Sequence, residues 1–150
     1  MERKLEETGL NLNPMFCWKY VLSSRFEKRV PLVITFNVSQ SETETLALNF
    51  SNADYLAFNP IPSGYIPIYD NVTFSDRKRK TDKEYLKMLS DTDYFYSRDK
   101  RACLEASLCG VRAFNDFEKM AKAFFSNPPK VLTKVERIEN WEQAKKLLTF

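Results

Sequence analysis

The part of this sequence best suited to binding is formed by two groups of cations, within residues 77–80 and within residues 98–101. The second group directly follows the aromatic residues 94–96. Cations neutralise phosphates and release counterions, and aromatic rings stack on unpaired bases, so the combination suits single-stranded nucleic acid. Four adjacent cations also repel one another and stay in solvent, so a solvated loop is the more ordinary explanation of the first group. The candidate residues for binding nucleic acid or another partner are Arg77, Lys78, Arg79, Lys80, Tyr94, Tyr96, Arg98, Lys100 and Arg101.

Residues that most enzymes use are missing from the sequence. The chain has no histidine, which excludes histidine acid–base catalysis, Ser-His-Asp triads and imidazole metal ligands. Gly9, Gly64 and Gly110 stand far apart, so no glycine-rich loop of the phosphate-cradling kind is present. The sequence therefore favours a non-enzymatic protein without catalytic residues, cofactor or metal. An RNA-processing enzyme that works without histidine is the alternative.

Two pairs of carboxylates stand two residues apart, Glu42 with Glu44 and Asp91 with Asp93. Paired carboxylates can hold a hard cation or share a proton. Each pair falls in a polar connection, where solvated carboxylates are the ordinary outcome, so neither pair is predicted to be a site.

The cysteines are odd in number and lack the spacing of a redox motif or zinc site. They are Cys17, Cys103 and Cys109, and all three have apolar neighbours. A cation such as Arg101 could lower the pKa of the Cys103 thiol. Reduced, unliganded core residues are the favoured interpretation.

Charge is distributed unevenly along the chain. Residues 30–76 contain five acids and no Lys or Arg, whereas residues 77–101 contain nine basic and five acidic residues. Two such segments would give the domain faces of opposite sign, which suits a protein partner or self-association. The N-terminus is charged and no apolar run approaches a membrane span, so no membrane association is expected. The leading hypothesis is a small cytoplasmic protein that acts through macromolecular, mainly protein–protein, interaction.

Hydrophobic periodicity predicts strands in the first half of the chain. Residues 15–22, 32–38 and 45–50 alternate as half-buried strands do, and the polar segment 39–44 between the last two is predicted to be a hairpin connection. Three consecutive strands of this kind predict an antiparallel meander. Residues 130–138 also alternate, which predicts one strand that returns to the sheet from between two helices.

Capping patterns predict helices in the second half. A short polar residue followed three positions later by Glu or Gln occurs at Thr81, Asn115 and Asn140. Residues 97–110 are compatible with a strand or a helix, and a helix that begins at Ser97 is favoured. Residues 1–150 are thus expected to form one α+β domain, an antiparallel sheet of about four to five strands with about three to four helices on one face. A stripe on the helix after Asn115 should dock on that sheet; its members are Phe117, Met120, Ala121 and Phe124.

Overall fold

A computed structural model describes residues 30–59, 64, 68–75, 80–132 and 138–150 of the chain. Its strands are β1 Leu32–Phe36, β2 Asp54–Phe58, β3 Val72–Phe74, β4 Tyr94–Ser97, β5 Arg112–Phe114 and β6 Leu148–Thr149. Its helices are α1 Gln40–Asn49, α2 Asp82–Ser90, α3 Lys100–Leu108, α4 Phe117–Ser126 and α5 Trp141–Lys145.

The six strands form one sheet in the order β3-β2-β1-β4-β5-β6, and every neighbouring pair is parallel. The expected antiparallel sheet is therefore wrong, and the fold is α/β. A parallel strand needs a crossover before the chain can return. Helices lie in the connections from β1 to β2, from β3 to β4, from β4 to β5 and from β5 to β6. The central strand β1 runs with β2 on one side and β4 on the other, with Thr35 beside Ala57 and Tyr96.

Helices cover both faces of the sheet, not one face as the sequence suggested. Helices α1 and α4 pack on the face of β1 and β4 that carries Val33 and Tyr96. The other face carries Ile34 and Phe95 and packs against α2, α3 and α5. Because both faces are covered, the inner strands are apolar on both sides, as parallel sheets require.

The segment that alternates as a predicted third strand, residues 45–50, lies mostly in helix α1. Residues 39–44, expected to be a hairpin connection, form the cap and the first half of that helix. The helix buries Thr43, Leu46 and Ala47, which share one face, and leaves Leu48 exposed. The alternation of Leu46 and Leu48 is therefore a chance match to a strand pattern. The i, i+3, i+4 spacing of Thr43, Leu46 and Ala47 is the one that the structure follows.

Three of the predicted helices begin close to their predicted caps. Thr81 and Glu84 form the reciprocal capping box at α2, and Asn140 caps α5. At α4 the cap is Asp116 and not Asn115. Met120 and Phe124 of α4 are buried against the sheet, which confirms the predicted docking of that helix.

The structure also decides how residues 97–110 fold and where the last helix ends. Residues 100–108 form a helix, as favoured, although Asp99 caps it in place of Ser97. The helix predicted to begin at Asn140 ends at Lys145, and strand β6 follows it.

Other expectations fall partly or wholly outside the described residues. The predicted strand at 15–22 and most of the returning strand at 130–138 lie there, and the described residues 130–132 are not in a strand. Cys103 and Cys109 are buried free thiols, as expected, whereas Cys17 lies outside the described part. In the described ranges, every helix is too short or too polar to cross a membrane.

Candidate functional site

The chain reverses its direction of winding between β1 and β4, which are neighbours in the sheet. From β1 the chain enters α1 on one face, and from β4 it enters α3 on the other. In an open parallel sheet, connections that leave on opposite faces are expected to separate and leave a crevice outside the carboxyl ends of these strands. In open parallel sheets ligands bind in such a crevice, and this strand order is that of doubly wound dinucleotide-binding sheets.

A hydrogen-bonded cluster crosses this point of the sheet. The carboxylate of Glu42, in the first turn of α1, accepts a hydrogen bond on Oε2 from the hydroxyl of Tyr96 at 2.8 Å. The same oxygen accepts a hydrogen bond from a terminal guanidinium nitrogen of Arg98 at 3.1 Å. Residues from the connections that follow β1 and β4 are thereby joined.

The members of this cluster differ in exposure. The side chain of Arg98 is 69% exposed, whereas that of Glu42 is only 14% exposed. Burial, and then the hydrogen bond to Glu42, raises the pKa of Tyr96 to about 12, so its hydroxyl remains a donor at neutral pH. The Arg98 guanidinium interacts with the Tyr96 hydroxyl as well as with Glu42, and the interaction with Tyr96 and the charge of Glu42 raise the pKa of Arg98. Because its side chain is 69% exposed, N–H groups of the guanidinium remain in contact with solvent.

Buried polar contacts hold the turn between β1 and α1 in place. Asn59 Nδ2 donates to Thr43 Oγ1 at 2.7 Å and to Thr35 Oγ1 at 3.2 Å. Its Oδ1 accepts the backbone N–H of Val38 at 3.3 Å. In the same turn Asn37 has φ 52, a left-handed conformation that asparagine tolerates better than most residues. These hydrogen bonds therefore fix the conformation of the turn between β1 and α1, which borders the crevice on the β1 side.

The helix N-termini at this edge are occupied by side chains of the protein. Ser39 Oγ accepts the N–H of Glu42 at the start of α1. The Asp99 carboxylate accepts the N–H groups of Arg101 and Ala102 at the start of α3. An anion at this edge would therefore be held mainly by side chains, and Arg98 is the best placed of them.

One buried acceptor at the same edge lacks a partner within the described part of the chain. Gln40, the first residue of α1, donates from Nε2 to Glu44 Oε1 at 2.8 Å, while its own Oε1 is buried and unpaired. Buried acceptors are normally paired. A ligand group or a water molecule would satisfy this one.

The residues predicted from the sequence are distributed as follows. Arg77, Lys78 and Arg79 lie outside the described residues, and Lys80 directly precedes the cap of α2. Arg98 and Lys100 are exposed at the carboxyl end of β4, and Arg101 pairs with Glu105 at 3.0 Å.

The two tyrosines predicted to stack on bases are buried. Tyr94 lies at the amino end of β4 and Tyr96 near its carboxyl end, both on the α1 and α4 face. Stacking on a base would require either ring to leave the core. The structure therefore brings Tyr96 to the crevice through its hydroxyl and places Tyr94 at the opposite edge.

Neither carboxylate pair acts as a pair. Glu42 contacts Arg98 while Glu44 contacts Gln40, and Asp93 is buried while Asp91 is exposed. The described residues contain no group of three or more potential metal ligands. Burial raises the pKa of the Cys103 thiol to about 12, so this cysteine is a protonated core residue and not an activated nucleophile.

Sequence reasoning missed the partnership between Glu42 and Arg98, and it missed Gln40 altogether. Ser39 followed three positions later by Glu42 is a capping pattern of the same kind that correctly located α2. Reading it would have placed Glu42 at a helix start, at the end of a strand. Comparison of the chain with family models, with curated proteins and with solved structures gave no match.

Proposed function

We propose that this domain binds a small phosphorylated ligand of the nucleotide class in the crevice at the carboxyl ends of β1 and β4. The observation that carries the proposal is the Arg98 guanidinium, which is oriented by Glu42 at 3.1 Å and by Tyr96 while its side chain is 69% exposed. A guanidinium held in this way is preorganised for a phosphate, because its remaining N–H groups match phosphate oxygens.

The charge around Arg98 supports an anionic ligand. Lys100 is exposed two residues further along. Lys80 precedes α2, which also begins at the carboxyl edge but follows β3, three strands away from β4, so its charge acts only at long range. The nucleotide class is suggested by the strand order, which is an analogy at the level of the fold.

The binding mode must differ from that of a typical dinucleotide site. The turn from β1 to α1, residues 37–39, contains no glycine. Glycine there lets the backbone approach a pyrophosphate closely, and here the Ser39 side chain already accepts the backbone N–H of Glu42. The phosphate would thus contact Arg98 on the β4 side of the crevice.

Titration calorimetry with ADP, GDP, UDP and CDP tests this proposal, with adenosine and inorganic phosphate as partial ligands. We expect at least one nucleotide to bind, and Arg98→Gln to weaken its binding roughly 10- to 100-fold, the equivalent of a charge-assisted hydrogen bond. Arg112→Gln is the matched control, because Arg112 is an exposed arginine at the amino end of β5. Equal effects of the two substitutions, or no binding of any nucleotide at millimolar concentration, would contradict the proposal.

The roles expected from the sequence remain proposals beside this one. A single-stranded oligonucleotide in the same titration tests the nucleic-acid role. Its affinity should fall steeply as the salt concentration rises.

A protein partner has one supporting observation: Leu48 of α1 is 63% exposed and Phe125 of α4 is 72% exposed, and these helices share a face of the sheet. Co-purification with a protein that is lost in Phe125→Ser would support that role.

A further inference from the structure

We propose a second binding site, at the opposite edge of the sheet, for a small aliphatic acid that carries two or more carboxylates. The site is a cleft of about 360 Å³ whose lining includes Arg112, Ser126, Asn127 and Lys130. Arg112 is the first residue of β5, so the cleft lies at the amino edge of the sheet. Its volume lies in the range of roughly 300–1,000 Å³ that is typical of small-molecule sites. The site is independent of the function proposed for the carboxyl edge.

The surface that this cleft presents to a ligand is polar. The aromatic residues of its lining are only 1–6% exposed and belong to the core; they are Tyr94, Phe114 and Phe124. The exposed residues of the lining are two cations and two neutral polar residues, namely Arg112, Lys130, Ser126 and Asn127. A small hydrophilic ligand therefore fits this cleft better than a ligand with an apolar body.

The two cations of the cleft have no carboxylate partner among the described residues, and none of the described lining residues is acidic. Arg98 and Arg101, by contrast, each pair with a glutamate. Two unpaired cations in one cleft repel each other, and an anion between them replaces that repulsion by attraction. The charges of the cleft therefore favour an anionic ligand.

The two cations reach the cleft from separate parts of the fold. Arg112 belongs to β5, whereas Lys130 follows the end of α4. A guanidinium binds a carboxylate through two N–H groups, and an ammonium binds a carboxylate as a point charge. An aliphatic di- or tricarboxylate holds its acid groups apart, while inorganic phosphate concentrates its charge at one point. An acid with at least two carboxylates can therefore meet both cations at once.

The segment that carries Lys130 is fixed to the rest of the domain by hydrogen bonds. They join Asn52 Nδ2 to the Pro129 carbonyl at 2.8 Å, the Lys130 N–H to the Tyr94 hydroxyl oxygen at 3.3 Å, and the Leu132 N–H to Asp93 Oδ1 at 2.9 Å. The backbone of this wall is thus in place before a ligand arrives. Binding then requires little ordering of the chain, which favours affinity for a small ligand.

The Tyr94 hydroxyl is a point that both walls of the cleft approach. Burial raises the pKa of Tyr94, while its hydrogen bond from the Lys130 N–H and the charge of Arg112 act in the opposite direction. The charge of Asp93 also acts on this hydroxyl, but Asp93 is buried behind the lining and accepts a backbone N–H on each carboxylate oxygen. Arg112 and Lys130 therefore face the cleft close to one another, without an acid between them.

A purely structural role for the two cations makes a different prediction. Cations near the C-terminal end of α4 would offset the partial negative charge of that end, which bears no basic residue in its own last turn. In that case Arg112→Gln would lower the melting temperature and leave ligand binding unchanged. Ligand binding and thermal stability therefore separate the two roles.

Titration of the full chain with citrate at neutral pH and constant ionic strength, followed by calorimetry and by NMR chemical shifts, tests the site. Acetate and inorganic phosphate are the comparison probes, because each offers a single acid group. We expect citrate to bind roughly 10-fold more tightly than either, and to shift the amide signals of Arg112 and Lys130.

Variants assign the binding to the cleft. Arg112→Gln and Lys130→Gln should each weaken citrate binding several-fold. The controls are Lys122→Gln, which removes an exposed lysine of α4 outside the lining, and Arg98→Gln at the other edge of the sheet. Neither control should change the affinity for citrate.

Each of the other results overturns the inference. Absence of citrate binding at about 10 mM, roughly ten times the dissociation constant of a weak millimolar ligand, would show that the cleft takes no such acid. Equal binding of acetate or phosphate would show that the two cations do not act together. An equal loss in Lys122→Gln would show that citrate responds only to overall charge. A lower melting temperature without a change in affinity for Arg112→Gln would assign the cations to α4 alone.

Discussion

The hydroxyl of Tyr96 donates to Oε2 of Glu42 at 2.8 Å, across 54 residues of chain. This bond ties the first turn of α1 to the end of β4, on either side of the crevice. The carboxylate also accepts hydrogen bonds from Arg98 and from Ser39 Oγ. Glu42 therefore orients the cation proposed to bind the ligand while the tyrosine holds Glu42 in place.

Tyr96→Phe should destabilise the protein by about 1.5–3 kcal/mol, the cost of losing a hydrogen bond to a charged group. Combined with Glu42→Ala in a double-mutant cycle, it should show coupling of about 1 kcal/mol or more. Urea unfolding of the four proteins measures both values. Glu44→Ala is the control, because Glu44 has no contact with Tyr96 and the two changes should add. Additive effects for Glu42 as well would show that the bond contributes nothing to stability.

The antiparallel expectation failed because alternation is a weak signal in a segment that also satisfies a helical period. Residues 45–50 show both patterns, and the capping residue Ser39 should have decided between them. The continuous apolar run of β1 is a second sign of a parallel sheet. It is buried on both faces, and strands covered on both sides occur mainly in parallel sheets.

The candidate site could be predicted in part. Arg98 was identified because it stands in a local cluster of cations next to aromatic residues. Glu42 could not be assigned to it, since that contact depends on β1 and β4 being neighbours. Strand order is a property of the whole chain, and no local pattern specifies it. The burial of Tyr96 has the same origin, because both flanking strands and α4 enclose it.

Phe124 and Phe125 offer a matched test of how α4 docks. Phe124 is 1% exposed and meets the rings of Phe50 and Tyr94, whereas Phe125 is 72% exposed. Phe124→Ala should cost about 3–5 kcal/mol. Phe125→Ala should stay within about 1 kcal/mol, since it loses only an edge contact with Phe50. Chemical unfolding checks both, and a similar loss in the two variants would mean that α4 docks differently.

The buried thiol of Cys103 should be inert in the folded protein. Its Sγ donates to the carbonyl oxygens of Ser97 and Phe114 at 3.2 and 3.4 Å. Burial raises its pKa from 9.0 to about 12, so at pH 8 almost no thiolate is present. Iodoacetamide should therefore label Cys103 only after unfolding, which peptide mass mapping detects. Rapid labelling of this residue at pH 8 under native conditions would contradict the buried placement.

The same pKa predicts how stability depends on pH. Between pH 9 and 12 the folded state keeps a thiol proton that the unfolded state loses, so stability falls as pH rises through this window. The slope from this group approaches 1.4 kcal/mol per pH unit, roughly the value for one proton, and below pH 9 the contribution is constant. Cys103→Ala should remove that part of the slope. Parallel curves for the two proteins between pH 9 and 10.5 would show that the thiol does not contribute.

Asp91 and Asp93 look equivalent in the sequence, but only Asp93 is buried in the structure. Its Oδ2 accepts the N–H of Leu32, at the start of β1, and its Oδ1 accepts the N–H of Leu132, both at 2.9 Å. Asp93→Asn replaces one acceptor by a donor, so one buried N–H loses its partner at a cost of about 1–3 kcal/mol. Asp93→Ala removes both acceptors and should cost more.

Asp91→Asn is the control, because Asp91 is exposed and its replacement should change stability by about 0.5 kcal/mol or less. Urea unfolding gives the stabilities, and hydrogen exchange should be faster at Leu32 and Leu132 in the Asp93 variants alone. Equal behaviour of Asp91→Asn and Asp93→Asn would show that the two backbone amides do not depend on this carboxylate.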